Sequence, residues 1–386
     1  MPHKRVVIIG AGAAGLASAW HLLDEDPELS VTVLESNSPG SGSTSRSIGV
    51  VETQYIGDFD IAVRAYGRRF FDMLSDKHDL RFVRTGYVRL ASKESDFADY
   101  QLSIARQNAH GVHDARVLTA EEVEALIPQI SMTGRLGGLY GPSDGYVDGH
   151  LYSALLTELV TQMGGTVLLN AKVTAASQDA DGVFTLVTSR GNFEADVVVN
   201  AAGGWAGKVG ELLGAPVPLI PQRHSAAIVE VGADLANMVP MVMDYVPGSG
   251  RPGLYFRFER PDQLAAGLHI EEPVDEPADP DSYVETGSDE FVLELAEQLS
   301  ERLPHLASAG IGRSWSGIYP MTPDHAPIVG LHPDNPAVIC ALGGGGNGIQ
   351  LSPAMGRAVA ETVVNGVVTS LGEHNPWDAA RLGTSR

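Results

Sequence analysis

The sequence predicts an α/β protein of two domains, one of which is assembled from separated stretches of the chain. A strand, a glycine-rich turn and a helix follow one another near the start, in the middle and near the end of the sequence. Between Pro216 and about Gly312 the pattern changes to short alternating segments, which favour an antiparallel sheet. The 386 residues also exceed the size at which a single hydrophobic core usually stops growing.

The first unit begins with Val6–Ile9, a continuous apolar run of the kind found in a parallel strand that is buried on both faces. Apolar residues from Leu16 to Leu23 then recur at helical spacing, and Val31–Leu34 is predicted as the second strand. The other predicted helices are Ile61–Leu74, Ala120–Leu126, Leu151–Met163 and Pro353–Asn365. The other predicted strands are Tyr87–Ala91, Thr166–Leu169, Asp196–Asn200, Ser225–Val231, Gly253–Phe258 and Ala337–Leu342.

These elements predict the boundaries of the two domains. Residues 1–84, 140–218 and 316–386 are assigned to a nucleotide-binding domain. Residues 85–139 and 219–315 are assigned to an α+β substrate domain with a mainly antiparallel sheet.

The charge of the chain excludes some classes of partner. Lysine and arginine number 26 against 48 acidic residues, a formal net charge of −22, so the surface repels nucleic acid and anionic membranes. The longest acidic run, Glu271–Glu290, is interrupted by prolines and is interpreted as a solvated loop. We assign no metal site to the sequence.

Cys340 is the one cysteine, so no intrachain disulfide forms and the paired-cysteine chemistry of disulfide reductases is excluded. The apolar run Val6–Trp20 contains three glycines and is too short to span a bilayer. It also lacks a cleavage site for export, so we expect a cytoplasmic protein without a membrane span.

A GxGxxG string, formed by Gly10, Gly12 and Gly15, lies between the first strand and the first helix. Its glycines allow a tight turn, close approach to a pyrophosphate, and close packing of helix on strand. Glu35 follows twenty residues after Gly15, at the end of the second strand, where a carboxylate accepts hydrogen bonds from ribose hydroxyls. Dinucleotide binding is therefore predicted, without a choice between NAD and FAD.

Two further segments bear on that choice. Gly343–Gln350 places four glycines before a helix, and its amides provide partial positive charge where a reduced flavin carries negative charge. Ser41–Ser47 combines small hydroxyl residues with Arg46, which suits contact with a pyrophosphate or a flavin edge, although a plain linker explains it equally well. The sequence thus favours FAD over NAD.

Together with Asn200–Trp205 and Trp315–Gly330, these segments resemble the D-amino-acid oxidase/sarcosine oxidase superfamily. Within it, the chain looks most like the β subunits of heterotetrameric sarcosine oxidase and related proline or opine dehydrogenases. The resemblance implies a Rossmann-type, glutathione-reductase-like FAD domain. It also implies oxidation of a primary or secondary amine, such as an N-methyl, imino or opine-like amino acid, by hydride transfer to flavin N5, giving an imine that hydrolyses.

The resemblance implies which residues contact FAD. They are Gly10, Gly12, Ala13, Ala14, Gly15, Glu35, Ser36, Ser43, Thr44, Ser45, Arg46, Val173, Ala201, Gly203, Trp205, Gly344, Gly345, Gly346, Asn347, Gly348, Ile349 and Gln350.

The chain departs from the family pattern at the substrate side. Gly317 stands where some relatives carry the cysteine that tethers flavin, so we expect noncovalent FAD. Gly49 and Gln350 stand at the positions of the arginine and lysine that hold a substrate carboxylate. Arg257 and Arg223 are the alternatives for that task.

The predicted catalytic residues are His269, Tyr319, Tyr255 and Arg46, and the predicted substrate-binding residues are Tyr255, Arg257, Tyr319 and Gln350. We align His269 with the lysine that promotes reaction with O2 in sarcosine-type oxidases. An oxidase using O2 and a dehydrogenase subunit passing electrons to a partner, in a hetero-oligomer, therefore both stay open. A non-redox flavin protein and an NAD-only dehydrogenase are the less favoured alternatives.

Overall fold

A computed structural model of the chain describes residues 4–232, 235, 237–270, 277–306, 308–372 and 374–383. Along these residues the helices are α1 (Ala13–Glu25), α2 (Asp58–His78), α3 (Ser95–Ala109), α4 (Ala120–Leu126), α5 (Gly149–Gln162), α6 (Ala206–Leu212), α7 (Asp289–Arg302) and α8 (Gly348–Asn365). The first ten strands are β1 (Arg5–Ile9), β2 (Ser30–Leu34), β3 (Val50–Val51), β4 (Phe82–Val83), β5 (Tyr87–Ala91), β6 (Arg116–Thr119), β7 (Gly137–Gly141), β8 (Gly145–Val147), β9 (Thr166–Leu168) and β10 (Val173–Gln178). The remaining strands are β11 (Phe184–Thr188), β12 (Gly191–Ala195), β13 (Val197–Asn200), β14 (Ile220–Glu230), β15 (Met241–Asp244), β16 (Gly253–Arg260), β17 (Gln263–His269), β18 (Gly310–Met321), β19 (Ile328–His332) and β20 (Asn335–Leu342).

Strand β1 lies inside a six-stranded sheet of order β19-β20-β13-β1-β2-β9 and pairs in parallel with β2 and β13. Val6 and Ile8 pack with residues of α1, α5 and α8, whereas Val7 and Ile9 pack with the three-stranded sheet β10-β11-β12. Because both faces are covered, all four side chains are buried, which explains the unbroken apolar run.

The six-stranded sheet draws its strands from the start, the middle and the end of the chain. The prediction of a Rossmann-like domain built from separated segments, joined to a substrate domain, is confirmed as the fold class. The residue boundaries of the two domains stay a prediction.

The second layer is an eight-stranded sheet of order β18-β14-β17-β16-β15-β5-β7-β6, in which the pairing of β5 with β15 is parallel. Phe256 packs on one face of this sheet with residues of α4 and α7. The neighbouring Tyr255 belongs to a different cluster, because successive side chains of a strand point to opposite faces. The face that carries Tyr255 is turned toward the cleft described below.

Helix α8 starts five residues earlier than predicted, at Gly348, with Pro353 inside it. The prediction was wrong because a proline was taken as a helix start. Proline lacks an amide proton to donate to Ile349, and the hydroxyl of Ser352 donates to that carbonyl oxygen instead, at 2.8 Å. Gly67 of α2 allows close packing here, because a Cβ on it would lie 2.4 Å from the carbonyl oxygen of Gln350.

Along the described residues, no helix combines the length and the apolar character that crossing a bilayer requires.

Candidate functional site

The turn between β1 and α1 has no room for side chains. Gly10 has a φ of +108°, and a Cβ on it would lie 2.6 Å from the carbonyl oxygen of Ala201. A Cβ on Gly15 would lie 2.0 Å from the carbonyl oxygen of Gly10. These glycines therefore let α1 start directly against β1 and β13, and the amides of its first turn have no acceptor within the helix.

Glu35 follows β2 and is buried, with its carboxylate held by the backbone. Its Oε2 accepts a hydrogen bond from the amide of Ala11 at 2.8 Å. Its Oε1 accepts from the amide of Asn37 at 2.8 Å and from the hydroxyl of Ser36 at 3.0 Å. The carboxylate is thereby fixed in the lining of the cavity described below, and its role in ribose binding stays a prediction.

The segment before β3 is tied to both layers of the fold. The Thr44 hydroxyl oxygen accepts a hydrogen bond from the amide of Ala13, at the start of α1, at 3.1 Å. The Ser43 hydroxyl donates to the carbonyl oxygen of Ile318 in β18. The Arg46 guanidinium donates to the carbonyl oxygens of Ser41 and Gly42. A plain linker, the alternative interpretation of this segment, would not need these contacts.

The glycine loop before α8 also depends on its residue types. Gly343, Gly345 and Gly346 have φ values of +75°, +47° and +83°. A Cβ on Gly346 would lie 2.4 Å from Cε2 of Tyr319. The loop therefore reaches the tyrosine ring only because it carries no side chain.

These elements enclose a cavity of about 570 Å³. The predicted cofactor residues that line it are Gly10, Gly12, Ala13, Ala14, Glu35, Ser36, Ser43, Thr44, Arg46, Val173, Ala201, Gly203, Trp205, Gly344, Gly346, Gly348 and Ile349. This volume is typical of a small-molecule or cofactor site. The cavity brings together a helix start, a buried carboxylate and a glycine loop, which fit the pyrophosphate, the ribose and the flavin of FAD respectively.

Five predicted cofactor residues lie outside the lining of this cavity, namely Gly15, Ser45, Gly345, Asn347 and Gln350. The side chain of Gln350 is turned to the protein: its Oε1 accepts from the amide of Glu52 at 3.2 Å, and its Nε2 donates to Asn347 Oδ1 at 2.8 Å. Gln350 and Asn347 therefore shape the loop from behind.

Sequence reasoning missed one wall of the cavity. Residues 277–288, which we call the strap, lie between β17 and α7, and Pro280, Asp281, Tyr283 and Glu285 of this segment line the cavity. Asp281 accepts hydrogen bonds from the indole of Trp205 at 2.7 Å and from Lys208 at 2.6 Å. The strap is an exposed loop, as predicted for Glu271–Glu290, but its carboxylates also have cationic and indole partners on the other layer. Residues 271–276 lie outside the described residues.

A small cavity of about 30 Å³ shares five residues with the larger one, namely Ser43, Arg46, Ser47, Ile318 and Tyr319. It is also lined by Tyr255 and His224. The sequence pattern gave little reason to choose His224, since an isolated histidine on a strand is common in protein cores.

Three of the side chains around the small cavity, His224, Tyr255 and Tyr319, are uncharged at neutral pH. Burial, together with the nearby His269, lowers the pKa of His224 to about 4. Burial raises the pKa of Tyr319, and burial together with Tyr319 raises the pKa of Tyr255 well above its ordinary value. The hydroxyls of the two tyrosines are hydrogen-bonded to each other. The site therefore offers aromatic faces and neutral hydrogen-bonding groups.

Among the predicted catalytic and substrate-binding residues, His269 and Arg257 line neither cavity, like Gln350. His269 is exposed at the end of β17, with its ring edge-on to Tyr245 at 4.8 Å between centroids. The Arg257 guanidinium lies 3.6 Å from the centre of the Tyr146 ring and donates to the carbonyl oxygen of Ile48 at 2.8 Å. Their catalytic and substrate-binding roles stay predictions.

The environment of Gly317 also bears on how flavin is held. A Cβ on Gly317 would lie 3.2 Å from Cβ of Arg46, within the lining of the small cavity. Cys340 lies in β20 with its thiol fully buried, and burial raises its pKa to about 12. A buried, protonated thiol is a poor nucleophile.

Comparison with curated proteins gives several relatives of the chain. It is 27% identical over 380 residues to mitochondrial sarcosine dehydrogenase of Mus musculus, covering 94% of this chain and 40% of that protein. It is 25% identical to the sarcosine oxidase subunit beta of Rhodobacter capsulatus, covering 95% of this chain and 86% of that protein. The chain therefore spans less than half the length of the dehydrogenase.

Solved structures share the fold. The L-proline dehydrogenase from P. horikoshii superimposes with a TM-score of 0.84 at 24% identity, covering 99% of this chain and 98% of that one. The glycine oxidase from Geobacillus kaustophilus gives a TM-score of 0.79 at 24% identity, covering 98% and 99% of the two chains.

A family model described as FAD-dependent oxidoreductase (DAO) matches residues 5–362. This range includes all the residues that line the two cavities. FAD is therefore the cofactor, and the chain belongs to the DAO family of FAD-dependent oxidoreductases.

Proposed function

We propose that the chain oxidises an amine or amino acid, converting a carbon–nitrogen single bond to an imine that water then hydrolyses. The observation that carries this proposal is the small cavity beside the FAD cleft, lined by Tyr255, Tyr319 and His224. When bound, FAD supplies the acceptor for the hydride that leaves the substrate carbon. The amine loses the accompanying proton.

The side chains of the small cavity favour binding and orientation over proton abstraction. The Tyr255 and Tyr319 hydroxyls keep their protons, because burial raises both pKa values. With its pKa near 4, the imidazole of His224 is a weak base but a good hydrogen-bond acceptor for a neutral amine. We infer that the reactive substrate is the neutral amine, held against the cleft by aromatic faces that exclude water.

The names of similar proteins support an amino-acid substrate. They include sarcosine, dimethylglycine and glycine, all of which carry a carboxylate. Arg46 is the arginine among the residues that line the small cavity, and it lines the FAD cleft as well. We therefore place a substrate carboxylate, where there is one, on the side of the cavity nearest Arg46.

Two finer features belong to this proposal. A cytoplasmic location is supported by a single cysteine that is buried and reduced. Association with a further subunit is supported by similarity to sarcosine oxidase subunits named beta. The protein is an oxidase if O2 takes the electrons from the reduced flavin, and a dehydrogenase if a partner subunit takes them.

The test is anaerobic mixing of the FAD-loaded protein with a panel of glycine, N-methyl, cyclic and N-carboxyalkyl amino acids and simple amines. We expect the flavin absorbance at about 450 nm to disappear and a carbonyl product to be released. If no member of the panel bleaches the flavin while dithionite does, the proposed reaction is wrong.

A further inference from the structure

A cluster of buried and half-buried residues lies behind the glycine loop, and we call Glu52, Tyr55, Arg64 and Arg89 the anchor cluster. Its link to the loop is Asn347, the residue just before α8. Asn347 Oδ1 accepts from Gln350 Nε2 at 2.8 Å and from the Tyr55 hydroxyl at 3.4 Å. The side chain of the loop residue is thus held from the side away from the cavity.

Tyr55 is in turn held by two arginines. The Arg64 guanidinium carbon lies 3.5 Å from the centre of the Tyr55 ring, and that of Arg89 lies 5.5 Å from it. Arg89 also donates to the carbonyl oxygen of Gln54 at 3.0 Å. Two positive charges therefore converge on the ring whose hydroxyl contacts the loop.

Glu52 supplies the opposite charge. Its Oε1 lies 3.9 Å from Nε of Arg64, with the side chains 3% and 4% exposed. The backbone amide of Glu52 donates a hydrogen bond to the side chain of Gln350, which belongs to α8. Arg64 Nε is buried without a hydrogen-bond partner among the described atoms. The pair is thus held by charge rather than by a direct hydrogen bond.

The surroundings of Glu52 contain further ionisable groups. Arg64 comes from α2 and Arg89 from β5, while Asp144 follows β7. Burial, reinforced by Glu52, raises the pKa of Asp144 to about 8. Burial also raises the pKa of Glu52, against the opposing effect of Arg64 and Arg89. Asp60, on α2, is a second carboxylate beside the cluster, with Oδ1 2.9 Å from Nη1 of Arg64. When Glu52 is ionised, these two anions are set against Arg64 and Arg89.

We propose that the anchor cluster positions the glycine loop and sets the electrostatic potential at it, and thereby tunes the reduction potential of bound FAD. Reduction adds negative charge to the flavin, so cations behind the loop favour the reduced form and the Glu52 carboxylate opposes it. This inference rests on FAD binding in the cleft. It is independent of which amine is the substrate.

The test is a redox titration of the FAD-loaded protein with a chemical reductant and an indicator dye. It is done at about pH 9, above the pKa of about 8 of Asp144, so that this neighbouring carboxyl group is also ionised. Glu52→Gln keeps the shape and removes the negative charge, so it should raise the midpoint potential. Arg64→Met should lower it. We expect about tenfold changes in the ratio of reduced to oxidised flavin, or about 30 mV for a two-electron couple.

The matched control is Tyr152→Phe. Tyr152 is also buried and contacts the same helix, since its hydroxyl lies 3.0 Å from that of Ser352, but it contacts neither arginine of the cluster in the described structure. The midpoint potential of FAD in the Tyr152→Phe variant should equal that in the wild type. A loss of packing alone would move both charge variants in the same direction, or neither.

Shifts of the same sign in Glu52→Gln and Arg64→Met, or no shift in Glu52→Gln, would overturn the proposal. If Arg64→Met does not fold, Glu52→Gln decides alone, because it is isosteric. Since a chemical reductant replaces the substrate, failure here leaves the proposed amine oxidation standing, and failure of the substrate panel leaves this inference standing.

Discussion

The ring of His224 lies flat against the ring of Tyr319, with centroids 3.9 Å apart and planes inclined by 16°. The stack joins β14 to β18, where Gly317 is the partner of His224 in the strand register. It places an uncharged imidazole beside a hydroxyl that is itself bonded to Tyr255. The first two predictions concern this pair.

Tyr319→Phe should keep the stack and lose the hydroxyl that is bonded to Tyr255. A net neutral hydrogen bond is worth about 0.5–1.5 kcal/mol, so kcat/KM for the amine substrate should fall by about two- to tenfold. Steady-state kinetics checks this. The control is Tyr100→Phe, which removes a buried hydroxyl bonded to the carbonyl oxygen of Leu90, away from both cavities, and should leave kcat/KM unchanged. Equal losses in both variants would show a general packing effect.

His224 should make the protein less stable in acid. Its pKa is about 4 in the folded chain against an ordinary value of 6.5, so below pH 6.5 the unfolded chain binds a proton that the folded chain refuses. The contribution of His224 to the free energy of unfolding is fully present above pH 6.5 and is lost as the pH falls toward its pKa in the folded chain. At about pH 5 the loss should be about 2 kcal/mol, and His224→Gln should remove this part of the pH dependence.

Urea unfolding of wild type and variant at several pH values measures this dependence. His21 is also buried with its pKa lowered to about 4, so some acid sensitivity should persist in His224→Gln. His150→Gln, on an exposed position, is the control and should follow the wild-type curve. A variant of His224 with an unchanged curve would contradict a neutral, buried imidazole.

Glu35→Gln should weaken FAD binding by about tenfold or more with the fold retained, since charge-assisted hydrogen bonds are worth about 1.5–3 kcal/mol. The carboxamide also cannot accept both backbone amides that now bond the carboxylate, from Ala11 and Asn37. Titration of the apoprotein with FAD measures the affinity. Glu25→Gln, exposed at the end of α1, should bind like the wild type. Unchanged affinity in Glu35→Gln would remove Glu35 from the ribose site.

FAD should leave the protein on denaturation. Gly317 provides no thiol beside the cleft, and Cys340 is fully buried in β20. Acid or heat precipitation should therefore leave yellow flavin in the supernatant. Flavin that stays with the pellet would show a covalent bond through another side chain.

The parts of the fold that the sequence predicts are those set by neighbouring residues. The turn at Gly10 and the loop at Gly343 are recognisable because positive φ and close approach require glycine wherever they occur. The run at Val6–Ile9 is recognisable because burial on both faces removes any alternation. In each case the cause lies within a few residues of the signal.

The missed features depend on pairs that are distant in the chain. Glu52, Arg64 and Arg89 each read as ordinary surface charges until α2 and β5 bring them together around Tyr55. Likewise, nothing within the strap shows that it lines the large cavity, because its partner Lys208 lies 73 residues before Asp281 in the chain. Pro353 shows the converse, since a local rule about helix starts failed where a serine hydroxyl replaced the missing donor.

The strap follows β17 of the eight-stranded sheet, yet it closes a cleft whose floor belongs to the six-stranded sheet. A ligand that contacts the strap stabilises the observed position of the strap by mass action. The fraction of protein that has bound FAD should therefore be measurable as resistance to proteolysis. In the apoprotein, limited digestion should cut within residues 277–288 first, and added FAD should suppress that cut in proportion to the fraction of protein bound.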